Sequence, residues 1–196
     1  MDQSKSSKSK SRGFTLTEVM VALFVLAVGL ASVAALLAST VSGTATTEYM
    51  TQAASLVTEK LEDLNRYPAA DANVAVTVGS TAGSITADTT NAAGTVNYYD
   101  EVFISPTAGS VSETTSSLVG GVVQYTTTAQ QPNGTIVVST SNSRTGLING
   151  AIYFKRRWII EANQPISGLR RVTVYVFLEN QSVAPGVNFQ MSVVRP

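Results

Sequence analysis

The stretch "RGFTLTEVMVALFVLAVGLASVAALLA", residues 12–38, sets one carboxylate, Glu18, at the entrance of an otherwise apolar run. Between residues 19 and 38 only Gly29 and Ser32 interrupt it. About 20 residues at about 1.5 Å each make roughly 30 Å of helix, the thickness of a bilayer's hydrocarbon core. Lys5, Lys8, Lys10 and Arg12 precede the run with only Asp2 against them. The positive-inside rule therefore expects a cytoplasmic N-terminus and an exported C-terminal bulk. A cleaved secretory signal is the alternative, with Ala34-Ala35 or Ala38-Ser39-Thr40 as its cleavage site. That reading leaves Glu18 without a reason, and the run is longer than the apolar segment of an ordinary signal.

Past Gly43 the chain continues "TATTEYMTQAASLVTEKLEDLNRYP", residues 44–68. Tyr49, Ala53, Leu56, Val57, Leu61 and Leu64 recur at spacings of three and four, which predicts a helix apolar on one face. Glu62 and Arg66 form an i,i+4 pair off that stripe, and Pro68 restricts Tyr67 and ends the helix. One helix over 14–66, roughly 80 Å long, is the simplest reading. Gly29, Ser32 and the Ser42-Gly43 pair are the positions where it has room to bend.

Composition narrows the function. The chain has 196 residues, no Cys and no His, and 13 basic against 13 acidic residues. Without Cys and His there is no disulfide, no usual zinc ligand set and no Ser-His or Cys-His nucleophile pair, so an enzyme is not expected. Balanced charge argues against binding nucleic acid over a whole surface. Polarity comes instead from Ser, Thr, Asn and Gln, which suits an extracytoplasmic surface.

In register, the basic leader, Gly13-Phe14-Thr15, Glu18 and the apolar run resemble the N-terminal signal of type IV prepilins and type II secretion pseudopilins, the class III-type prepilin signal. The resemblance implies cleavage after Gly13 by a prepilin peptidase/methylase and methylation of the new amine on Phe14. It also implies that Glu18 pairs with the Phe14 amine of the next subunit. Thr17 departs from the pattern, which usually has an aliphatic residue there; its hydroxyl can bond back to a helical carbonyl. The implied pairing has a physical motive, because an ionised carboxylate in hydrocarbon costs several kcal/mol unless paired. Snorkelling of Glu18 to the membrane surface is the plainer alternative.

Residues 69–148 are polar and rich in Thr, Ser, Gly and Asn, with β-like runs at 74–78, 95–105, 118–129 and 135–140 and a turn signal at Pro132-Asn133-Gly134. The C-terminal part is more regular. Val172, Val174, Val176 and Leu178 alternate with Arg171, Thr173, Tyr175 and Phe177, and Val187, Phe189, Met191 and Val193 alternate with Asn188, Gln190 and Ser192. With "AIYFKRRWIIEA", residues 151–162, they predict three antiparallel strands whose apolar face takes the helix stripe of residues 49–64. The strand order, with its Arg-Trp strand before a Val-Thr-Val strand, is similar to the C-terminal part of PilV-type minor pilins. The expected fold is α+β and pilin-like. Its parts are a cleaved leader (1–13), a transmembrane assembly helix (14–38), an amphipathic continuation (39–68), a variable insert (69–148) and a sheet (149–196).

Lys155, Arg156, Arg157, Arg170 and Arg171 form the only basic clusters. As a basic surface they would contact phosphates, as in DNA uptake. Strand alternation puts Lys155 and Arg157 on the face opposite Arg156 and Trp158, which dilutes the patch; solvated or edge-guarding residues are the plainer reading. Nucleic acid is thus not an expected partner. Asp88, Asp100, Glu101 and Glu113 fit no calcium-loop spacing, and no cofactor is expected. The expected function is that of a structural minor pilin precursor of a type IV pilus. The alternatives are a type II secretion pseudopilin and a surface adhesin or DNA-uptake module on the same scaffold. Other pilin or pseudopilin subunits and the bacterial inner membrane are the expected partners, and the pilus at the cell surface the final location.

Overall fold

The computed structural model describes residues 15–107, 110–143, 151–180 and 186–196. The leader, Gly13, Phe14 and most of the loop before the last strand lie outside the described residues. A single helix, α1 (Leu16–Arg66), runs without a break through Gly29, Ser32, Ser42 and Gly43. The chain divides within it into two compact units, residues 1–44 and 45–196.

In the first unit every described residue is exposed, including Leu23, Phe24, Leu30 and Leu36. Hydroxyls along this helix bond back to its own backbone: Ser32 Oγ donates to the Val28 carbonyl at 2.9 Å and Thr40 Oγ1 to the Leu36 carbonyl at 2.7 Å. A polar side chain that bonds four residues back presents little unmet polarity to an apolar solvent, so these residues do not spoil a membrane helix.

In the second unit the end of α1 packs on an antiparallel sheet of eight strands: β1 (Thr81–Gly83), β2 (Tyr99–Thr107), β3 (Ser110–Val119), β4 (Val122–Gln130), β5 (Ile136–Ser141), β6 (Ile152–Ala162), β7 (Arg170–Leu178) and β8 (Asn188–Arg195). The order across the sheet is β5-β4-β3-β2-β6-β7-β8. One side of β6 is shared: its residues 152–157 pair with β2, and 159–161 pair with β1. The predicted stripe is the buried one, with Ala53, Leu56, Val57, Leu61 and Leu64 set against Val102, Phe154, Ile160, Val172, Val174 and Val176. Each such side chain, fully buried, is worth about 1.5–3 kcal/mol. This cluster is the core.

Two local devices fix the ends. The last turn of α1 leaves carbonyls without helical partners, and Arg195 of β8 donates to them, Nη1 to Leu64 O at 2.9 Å and Nη2 to Tyr67 O at 2.6 Å. At Gly83, with φ +84°, any Cβ would run into the carbonyl oxygen of Trp158 and lie 2.9 Å from Tyr98 Cβ. Only glycine lets β1 approach β6 there.

Several expectations need correction. The run at 74–78 is a turn and irregular backbone, because its residues fold over the end of α1, where the Val74 carbonyl accepts from Arg170 at 3.2 Å and the Val74 side chain enters the core. The run at 118–129 is a hairpin rather than one strand, turning at Gly120 and Gly121, both with positive φ. Strand β3, "SVSETTSSLV", went unpredicted because hydroxyl residues occupy both of its faces. The four strands β2–β5 extend the same sheet as β6–β8.

Candidate functional site

The N-terminal end of α1 is built from four residues, Thr15-Leu16-Thr17-Glu18. The Thr15 N–H donates to Glu18 Oε2 at 2.9 Å, the Thr15 hydroxyl donates to the same oxygen at 2.9 Å, and the Glu18 N–H donates back to Thr15 Oγ1 at 3.4 Å. This reciprocal pattern is a capping box: residue and carboxylate each satisfy a backbone donor that the first helical turn leaves open. The signal was present in the sequence as T-x-x-E before an apolar run, and the sequence reading passed over it. Among the described residues the Thr17 hydroxyl lies 3.1 Å from that of Thr15, and the carbonyl four residues back, that of Gly13, lies outside them.

The bonds to Glu18 end on Oε2, and among the described residues Oε1 accepts none. The carboxylate is thus held in one direction by its own helix with an oxygen left to accept from a cation. Val19, Ala22, Leu23 and Leu26 flank it, forming an apolar groove with a carboxylate at its edge. A helix of another molecule that brings an amine to this edge would meet both surfaces together.

The basic residues fall into two groups on opposite faces of β6. On one face Asp88 accepts from Lys155 at 2.9 Å and from Arg157 Nε at 2.7 Å, and Lys155 lies 3.5 Å from Glu101. Burial pushes the Asp88 carboxyl up, but the hydrogen bonds and charges of Lys155 and Arg157 outweigh it and leave its pKa below the ordinary value. On the helix-facing side Arg156 grips Asp100 with two bonds, Nε to Oδ1 at 2.6 Å and Nη2 to Oδ2 at 2.9 Å. Lys60 of α1 meets Asp100 at 3.1 Å, and Glu59 meets Arg156 at 3.4 Å, so the ionic cluster ties helix to sheet.

Arg156 and Arg170 are therefore not a basic surface: they are 4% and 7% exposed. Arg156 lies under α1 because even-numbered residues of β6 face the helix, and Arg170 turns inward to donate to the carbonyls of Ala69 and Val74 at 3.1 and 3.2 Å. Arg171 forms a bidentate pair with Glu161 at 2.8 and 3.0 Å. All five predicted basic positions are committed to partners within the chain. The acidic partners of the other four, Arg170 apart, come from positions 10 to 97 residues away, which explains why strand alternation alone could not assign them.

Residues 8–34 match the family model of the prokaryotic N-terminal methylation motif, the class III prepilin signal of type IV pilins and pseudopilins. No curated protein and no solved structure matches the chain.

Proposed function

We propose that the chain is a structural pilin precursor, cleaved after Gly13, N-methylated at Phe14 and assembled as a minor subunit of a type IV pilus. The match at residues 8–34 carries the reading, since it covers the leader, the cleavage step, Glu18 and the first turns of α1 in one register. It supports a membrane-anchored type IV pilin or pseudopilin precursor. On this reading residues 1–13 are the leader, 14–38 the assembly helix, 39–68 its amphipathic continuation, 69–148 the polar variable insert and 149–196 the antiparallel sheet of the outward domain. The prepilin peptidase/methylase and other pilins are the partners, and Lys155, Arg157 and Arg171 serve the domain's own ion pairs rather than nucleic acid. Assembly into a type II secretion pseudopilus rests on the same match. Recovery of the chain in sheared surface filaments favours the pilus, whereas a secretion defect without filaments favours the pseudopilus.

Glu18 supplies the test, because capping and charge pairing respond differently to substitution. Glu18→Gln keeps a side chain able to close the capping box but removes the charge; Glu18→Val removes both. If the carboxylate pairs with the Phe14 amine of a neighbour, both variants insert into the membrane normally and both are poorly incorporated into filaments. Incorporation of Glu18→Gln at the wild-type level would reduce Glu18 to a helix cap.

A further inference from the structure

The sequence carries Asn-X-Ser/Thr twice, at Asn133-Gly134-Thr135 and at Asn180-Gln181-Ser182, and the second runs out of the described residues. This pattern accepts asparagine-linked glycans when it stands on a surface loop of an exported chain. A pattern so short also arises by chance, so the structural setting decides. The first copy sits at the tip of the hairpin that joins β4 to β5, where residues 131–135 are all exposed.

The turn itself accounts for Asn133 and Gly134 and leaves Thr135 over. The Gly134 N–H donates to the Gln131 carbonyl at 2.9 Å, and Gly134 takes φ +81°, so a type I turn with Pro132 and Asn133 at its centre is closed by a left-handed glycine. The Thr135 N–H donates to Asn133 Oδ1 at 3.0 Å, which fixes the side-chain amide by its oxygen. Among the described residues neither Asn133 Nδ2 nor the Thr135 hydroxyl has a hydrogen-bond partner. Those are the two groups the pattern requires, and the turn uses neither.

The strand that follows supplies a second observation. Among the described residues β5 ends the sheet, and Ile136, Val137 and Val138 are 64%, 44% and 60% exposed in succession. It holds no charge and no proline, the devices that commonly guard an edge against another chain.

We propose that Asn133 carries an N-linked glycan, transferred from a polyprenyl-diphosphate-linked oligosaccharide, which shields the β5 edge. In the transfer Asn133 Nδ2 forms a bond to the anomeric carbon as that carbon's bond to the diphosphate breaks. The diphosphate leaves with the electron pair, and one Nδ2 proton passes to a base of the transferase. The amide carbonyl survives, so the bond from Thr135 that holds the turn is kept. The proposal rests on the export of the second unit contained in the pilin reading.

The test uses the full chain isolated from the cells that make it. Trypsin and chymotrypsin together release residues 126–144 as one peptide. Mass spectrometry should find sugar residues added to it, and fragmentation should place them on Asn133. Asn133→Gln and Thr135→Ala should each abolish the added mass, and Thr135→Ser should retain it. A bare peptide, a peptide only one dalton heavier through deamidation, sugar on a Ser or Thr, or sugar that persists in Thr135→Ala would overturn the proposal. The N-terminus of the same sample separates the two readings. Bare Asn133 on a chain that begins at methylated Phe14 counts against the glycan alone, and a glycan on a chain that keeps its leader counts against the pilin reading alone. Asn133→Gln should also aggregate at a lower temperature than the wild type, and adding Val137→Lys, which charges the edge, should reverse this. Equal aggregation of Asn133→Gln and wild type would remove the shielding role.

Discussion

Asp100 is the residue on which the second unit's polar interior turns. Burial alone raises its carboxyl, but Arg156 and Lys60 outweigh burial and hold its pKa below the ordinary value. A group whose folded pKa is depressed contributes its stabilisation in full above the unfolded value near 3.8 and loses it as pH falls through the lower folded value. Asp100→Asn leaves two buried cations short of a counter-charge and should cost about 3–5 kcal/mol at neutral pH. Urea melts followed by Trp158 fluorescence check this. They should also show that the wild type loses part of its stability below about pH 4, and that Asp100→Asn lacks that part of the acid slope. An unchanged slope in the variant would place the acid sensitivity elsewhere, at Asp88 for example. The residue scale is also where the sequence said least. Asp100 and Arg156 are 56 residues apart, and no local pattern marks them as partners.

The elements divide by how strongly apolar periodicity writes them. Helix α1 and strands β6–β8 were legible because their apolar residues recur at 3.6 or 2, and the stripe at Ala53, Leu56, Val57, Leu61 and Leu64 is the one that packs, while β8 adds only the partly buried Phe189 and Val193. β3 and β1 were not. In β3 the cross-strand partners are hydroxyls, such as Thr114 and Thr127 at 2.7 Å, which stabilise a ladder without giving an apolar alternation. β1 is three residues long and depends on a glycine conformation that only the neighbouring carbonyl explains. At this scale Arg195 is the residue to test, since it joins β8 to the end of α1. Arg195→Ala frees two carbonyls from a charged donor and should cost about 2 kcal/mol, measured by the same urea melts. Arg195→Lys should recover only part of it, because one ammonium does not reproduce a planar fork that reaches two carbonyls. A cost near zero for Arg195→Ala would mean water replaces both bonds.

For the whole molecule, the two units solve opposite problems. The second builds an apolar core between the end of α1 and the sheet and pairs its buried charges internally, as Arg156 does with Asp100. The first exposes a continuous apolar helix, with Leu16, Phe24 and Leu36 each more than half exposed, far beyond the scattered apolar residues a soluble surface carries. Such a helix requires hydrocarbon or other helices around it, and Glu18 at its entrance requires more than hydrocarbon. Capping explains how the carboxylate is held, through Oε2, and among the described residues Oε1 accepts no bond. On the proposed function, the N-terminal amine of a neighbouring subunit supplies the cation that Glu18 Oε1 accepts from, which would join the motif at residues 8–34 to an assembled filament.

The central claim, that the chain is processed at the start of this helix so that a new amine meets Glu18, is tested most directly by mass spectrometry of the mature N-terminus. The mature chain should begin at Phe14, one methyl group heavier on its amine. A mature protein beginning between residues 35 and 41, or one that retains its leader intact in the assembled state, would contradict it.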